Sequence, residues 1–133
     1  MNWRYSISLL SLALVASAAL HTTAARADSN PIKVEQCFVT QPKIMSKTAS
    51  GTQIDYRNVS SKVATNVTFA VGYRNAESNF LRRVTDSGDF EQGTLIKHHF
   101  ALYNDVTYAG KHVQACAAIK VKFKDGTQWT MSH

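Results

Sequence analysis

The feature that most limits the fold is an alternating run near the C-terminal end. Val113, Ala115, Ala117, Ile119, Val121 and Phe123 fall at every second position, and Gln114, Ala118, Lys120, Lys122 and Lys124 fill the places between. A period of two is the mark of a β-strand with one wet face, because successive side chains point to opposite sides of the pleat. Lys124-Asp125-Gly126-Thr127 follows. Asp-Gly supplies the positive φ angles of a tight turn, so residues 128–131 are predicted to fold back onto the end of the same strand.

The rest of the chain repeats the pattern in weaker form. Strands are predicted over residues 32–39, 52–58, 64–73, 80–85 and 95–102, separated by polar turns. Residues 52–58 and 64–73 are read as a hairpin about Val59-Ser60-Ser61-Lys62. Residues 80–85, carrying Arg82 and Arg83, are read as an edge strand whose charges discourage edge-to-edge pairing. Asp86-Ser87-Gly88-Asp89 reads as a turn, and Phe90 as part of the short loop that Gly93 closes. Two longer connections, residues 40–51 with some strand character at Ile44 and residues 103–111, complete the set. Seven strands at intervals of about ten residues, with no helix able to cover a sheet, predict an all-β, seven-stranded antiparallel β-sandwich.

That layout resembles the immunoglobulin-like and fibronectin-type domains, and the likeness covers most of the chain after its leader. In detail the chain differs from true immunoglobulin domains. No tryptophan lies on the third strand, Gln114 stands where a tyrosine would precede the second cysteine, and Cys37 is on the first strand. The segments Asp86-Ser87-Gly88-Asp89-Phe90 and Phe123-Lys124-Asp125-Gly126-Thr127-Gln128-Trp129 also resemble those of small exported bacterial proteins of unknown function.

Arg4, an apolar run from Ile7 to Leu20 and Ala25-Arg26-Ala27 form the three parts of a secretory signal peptide. Residues 1–27 are therefore expected to be removed, leaving residues 28–133 as one β-sandwich domain in the periplasm or outside the cell. The alternative is a retained N-terminal anchor. No transmembrane segment is expected in the mature chain. Of the 15 Lys and Arg, Arg4 and Arg26 leave with the leader, so 13 cations face 9 carboxylates.

Cys37 and Cys116 are the only cysteines, and in an exported domain they predict one disulfide. Cys37 shares its phase with Lys33 and Glu35, and Cys116 with Gln114 and Lys120, so both sit out of phase with the apolar residues of their strands. Either a bulge turns each inward or the bridge lies on the outer face of one sheet. The second arrangement is the preferred reading.

No G-x-S-x-G elbow, paired-carboxylate motif or phosphate-cradling glycine loop is present, so no enzymatic activity is expected. Adjacent His98 and His99 point to opposite faces of a strand and cannot both ligate one ion, so His99 with His112, or with His133, is the candidate metal set; the structural alternative packs His98 into the core and leaves His99 in solvent. No H-E-x-x-H or Asp-rich loop supports them, and no cofactor is expected. The strongest candidate contact is a basic stripe: Lys120, Lys122 and Lys124 on the wet face of one strand, with Arg82 and Arg83 nearby, a row able to recruit polyanions. Phe90, Tyr103 and Tyr108 are candidate loop contacts at one end of the sandwich. The expected function is that of an exported, non-enzymatic binding module at the cell envelope or beyond it. Its partner is an unknown protein or an anionic envelope polymer, without specific nucleic-acid recognition.

Overall fold

The computed structural model describes residues 29–40, 51–101 and 111–132. The expected leader and its cleavage site, Ile44, Tyr103, Tyr108 and His133 lie outside the described residues. Among the described residues seven strands form: β1 (Ile32–Thr40), β2 (Gly51–Asn58), β3 (Ala64–Arg74), β4 (Asn79–Phe90), β5 (Leu95–Ala101), β6 (Val113–Phe123) and β7 (Gln128–Thr130). They make two antiparallel sheets, a three-stranded one in the order β1-β2-β5 and a four-stranded one in the order β4-β3-β6-β7. The sheets enclose a core centred on Ile54, Tyr56, Val67, Phe69, Val71 and Val121, all fully buried. Tyr56 meets Phe69 edge to face at 4.9 Å between ring centres, a preferred arrangement for aromatic rings.

The expected hairpin between residues 52–58 and 64–73 does not form. β2 pairs with β1 and β5, whereas β3 pairs with β4 and β6, so residues 59–63 arch from one sheet to the other. Asn58 holds the arch. Its buried amide donates to the Lys62 carbonyl at 2.6 Å and the Phe90 carbonyl at 2.8 Å, and its Oδ1 accepts from the Ser60 N–H at 2.9 Å. An arch suits strands whose apolar faces must look at each other, since a hairpin would have kept both in one sheet.

Two single-residue bulges reset the alternation. In β1 the register steps from Val34 opposite Tyr56 to Gln36 opposite Asp55, leaving Glu35 extra. In β6 it steps from Ala118 opposite Phe69 to Lys120 opposite Thr68, leaving Ile119 extra. Each extra residue inverts the phase beyond it. Cys37 therefore turns inward with Val34 and Val39, and Cys116 inward with Gln114 and Ala118. The disulfide joins them with their Cα atoms 5.9 Å apart, tying β1 of one sheet to β6 of the other. The bridge is thus between sheets, and the preferred outer-face arrangement is corrected. The same bulge corrects the reading of β6, because Val113 and Ala115 are exposed and only Val121 and Phe123 of the expected apolar row are buried.

β4 is an edge strand, as its charges suggested, but it runs five residues beyond the expected end. The supposed turn Asp86-Ser87-Gly88-Asp89 is strand: Asp86 pairs with Val67 and Ser87 with Asn66, and a bulge at Gly88 and Asp89 precedes Phe90 opposite Ala64. At the far end of the sequence the hairpin is as expected, with Lys122 opposite Gln128 and Gly126 at a φ of 87°.

Candidate functional site

The register of the four-stranded sheet fixes what its outer face presents. Row by row across β4, β3 and β6 stand Leu81, Gly72 and Ala115; then Arg83, Ala70 and Ala117; then Thr85, Thr68 and Lys120; then Ser87, Asn66 and Lys122. Arg74, beside Asn79 and Val113, closes one end. The polar rows are cross-linked: Asn66 donates to the Ser87 hydroxyl at 2.7 Å, and the Thr68 and Thr85 hydroxyls lie 3.0 Å apart. Asn66, Thr68, Thr85, Lys120 and Lys122 together line a concavity of about 190 Å³. Beyond Arg83 the face becomes apolar and shallow-chained. There Leu81, Gly72, Ala115 and Val113 border a depression of about 550 Å³.

Every charged side chain in these rows is a cation. Among the described residues no carboxylate pairs with Arg74, Arg83, Lys120 or Lys122. The outer face of the three-stranded sheet is different, since there Glu35 accepts from both Lys33 and Arg57 at 3.3 Å and Asp55 accepts from Gln53 at 2.8 Å. Cations close together without partners raise the local potential, whereas mixed pairs cancel it. One face of the sandwich is therefore positive and the other mixed in sign.

The structure splits the expected stripe. Lys120 and Lys122 share the outer face with Arg83. Lys124 lies at its margin, neutralised in part by Asp89 at 3.5 Å. Arg82 belongs to the inner phase of β4, opposite Val71 and over the Phe80 ring at 5.6 Å, because adjacent residues of a strand point to opposite faces. Arg82 therefore does not belong to the cationic face. Arg74 does; its sign was readable in the sequence, but its place depended on which strands were neighbours.

Other expected contacts fall differently. Phe90 is not on a loop: it ends β4 and packs against Tyr56 at 5.8 Å between ring centres. Trp129 and Phe123, with Pro31 and Lys62, line a concavity of about 290 Å³. His98 and His99 depart from the core-and-solvent assignment. The side chain of His98 is 43% exposed, stacks on Phe100, and places Nδ1 3.0 Å from Asp86 Oδ2. His99 is half-buried, with Nε2 2.6 Å from the Thr40 hydroxyl, and His112 stacks on Tyr73 at 5.4 Å. No group of three or more metal-ligating side chains occurs among the described residues.

Asp86 is the residue that sequence reasoning missed most completely. It is 4% exposed, accepting from the Tyr56 hydroxyl at 2.8 Å as well as facing His98. Burial first, then the bond to Asp86, pushes the Tyr56 phenol far above its ordinary value. No helix among the described residues is long and apolar enough to cross a membrane. No known protein family, curated protein or solved structure matches the chain.

Proposed function

We propose that the chain is an exported, non-enzymatic binding module that recognises an anionic partner through the outer face of its four-stranded sheet. The observation that carries this reading is the segregation of charge: Arg74, Arg83, Lys120 and Lys122 stand on one face with no carboxylate paired to them among the described residues. A solubilising surface has no need to sort its signs. Hydroxyl and amide groups of Thr68, Thr85, Ser87 and Asn66 lie among the lysines, and charge-assisted hydrogen bonds from such a cluster suit phosphate, sulfate or carboxylate oxygens. The partner is sought at the cell envelope or outside the cell, in keeping with the leader.

The scaffold is proposed to be immunoglobulin-like in its finer topology. The order β1-β2-β5 against β4-β3-β6-β7 supports this: it is that of the constant-type immunoglobulin sheets with the fourth strand paired to the third instead of the fifth. On this reading the recognition face is the broad sheet, which leaves the strand ends free.

Retention on immobilised heparin in a salt gradient tests the function. The protein is expected to bind and to elute at a defined salt concentration. Lys120→Glu/Lys122→Glu should elute much earlier, because fewer cations on the face means fewer counterions released on binding and a flatter salt dependence. Elution of both proteins at the same low salt overturns the reading.

A further inference from the structure

Leu81 and Val113 are 71% and 64% exposed, the two most exposed large apolar residues among those described. Both stand on the cationic face, bordering the depression over Gly72 and Ala115. Cations surround them. Arg83 lies one row from Leu81 on β4, and Arg74 with Lys111 flanks Val113 in a neighbouring concavity. Farther along the same face are Lys120 and Lys122. Among the described residues no carboxylate stands in the rows of this face; Glu77 lies in the turn between β3 and β4 and Asp89 pairs with Lys124 at the margin.

We infer that this face docks on an anionic lipid leaflet, with Leu81 and Val113 entering the boundary between headgroups and acyl chains while Arg74, Arg83, Lys120 and Lys122 rest on lipid phosphates. The inference rests on the anionic-partner reading and names the partner. A soluble polyanion engages the cations but leaves two large aliphatic side chains in water. A leaflet offers phosphate and hydrocarbon side by side, and surface binding grows with both buried apolar area and attraction to anionic headgroups. A second copy of the chain is the other occupant an apolar patch invites. A two-fold contact there would set the same cations against each other, and like charges across an interface are strongly unfavourable. The low floor of Gly72, Ala70, Ala115 and Ala117 leaves Leu81 and Val113 standing proud of the sheet, which suits insertion into a soft boundary.

The test compares two probes on the disulfide-bonded protein: co-sedimentation with phosphatidylcholine vesicles prepared with and without phosphatidylglycerol, and retention on heparin. The native protein is expected to bind only the vesicles containing phosphatidylglycerol. Leu81→Ser/Val113→Ser is expected to lose about tenfold or more in vesicle affinity with heparin retention unchanged, and Lys120→Glu/Lys122→Glu is expected to lose both. Circular dichroism matching the native protein establishes that each variant is folded. Vesicle binding that is absent, or indifferent to the apolar pair, while heparin retention persists overturns the lipid assignment and leaves the anionic-partner reading standing. Absence of binding to both probes overturns both. A native dimer that Leu81→Ser/Val113→Ser converts to monomer assigns the patch to self-association and likewise overturns the lipid assignment.

Discussion

Asp86 on β4 and His98 on β5 meet across one side of the sandwich, carboxylate to imidazole at 3.0 Å, while the Cys37–Cys116 bridge joins β1 to β6 on the other. β1 and β5 are the two edges of the three-stranded sheet. The sheets are therefore fastened at both flanks, covalently at one and by a polar contact at the other, with the aromatic core between.

The polar fastening has a measurable worth. Asp86→Ala leaves the buried Tyr56 hydroxyl without its acceptor, and an unsatisfied buried polar group costs about 1–3 kcal/mol. Tyr56→Phe removes the donor while Asp86 keeps His98, so about 1 kcal/mol is expected. The double variant should lose less than the sum of the two, since the groups share one bond. Urea denaturation of the four proteins checks this, and the Tyr56 phenol should stay protonated in alkali until the fold opens.

The covalent fastening closes a loop of 79 residues. Chain entropy puts its contribution at about 4–5 kcal/mol as an upper figure, a large share of the roughly 5–15 kcal/mol typical of a domain. Replacing both cysteines by alanine should shift the urea midpoint sharply downward. The same loss should follow reduction of the native protein.

Strand identity was legible in the sequence because alternation is local, and so was the disulfide because two cysteines have only one pairing. Bulges were one of the two arrangements the cysteine phases allowed, but their places at Glu35 and Ile119 were not legible. A single extra residue reverses every side chain beyond it, yet Val121 and Phe123 carry the same alternating pattern as Val113 and Ala115, so nothing in β6 itself marks where the phase turns over. The arch at residues 59–63 reads as a hairpin in sequence because its Ser-rich composition serves either connection. What decides between them is the Asn58 side chain, whose partners include Phe90, 32 residues away. Asp86 is hidden in turn-like chemistry for the same reason: a buried carboxylate needs a donor, and Tyr56 lies on another strand. Of the candidate site, the lysines and the nearness of Arg83 were readable; the exclusion of Arg82 and the inclusion of Arg74 were not, since strand phase and strand order decide them.

Asn58 makes the arch a separate target for mutation. Asn58→Ala strips acceptors or donors from the Ser60 N–H, the Lys62 carbonyl and the Phe90 carbonyl and leaves a cavity, so a loss of about 2–4 kcal/mol is expected. Asn58→Asp keeps the bond to Ser60 but sets a carboxylate against two carbonyl oxygens, and should lose at least as much. Chemical denaturation gives both values. Full burial also keeps Asn58 from serving as a glycan acceptor in the folded protein, although Asn58-Val59-Ser60 has the form of a sequon.

The β6–β7 turn should make stability depend on pH at the acid end. The Thr127 hydroxyl and backbone N–H both donate to Asp125 Oδ1, at 2.5 and 2.9 Å, and Lys62 lies 3.1 Å from Oδ2. The Thr127 bonds first, and Lys62 after them, hold the Asp125 carboxyl down at about 2 against an ordinary 3.8. A carboxyl whose value is lowered by folding stabilises the fold wherever it is ionised. Its contribution is complete above about 3.8 and fades as the pH falls toward 2. Asp125→Asn keeps an acceptor for Thr127 but removes the charge, so it should destabilise at neutral pH and converge on the native protein as the pH falls through about 2. Salt should remove only the Lys62 share, because an exposed ion pair is screened while a hydrogen bond from a neighbouring residue is not. Denaturation midpoints of the two proteins, followed from neutral pH down to about 2 at low and high salt, measure both effects. A gap between the proteins that persists unchanged at the lowest pH would show that the turn draws nothing from the ionised carboxyl.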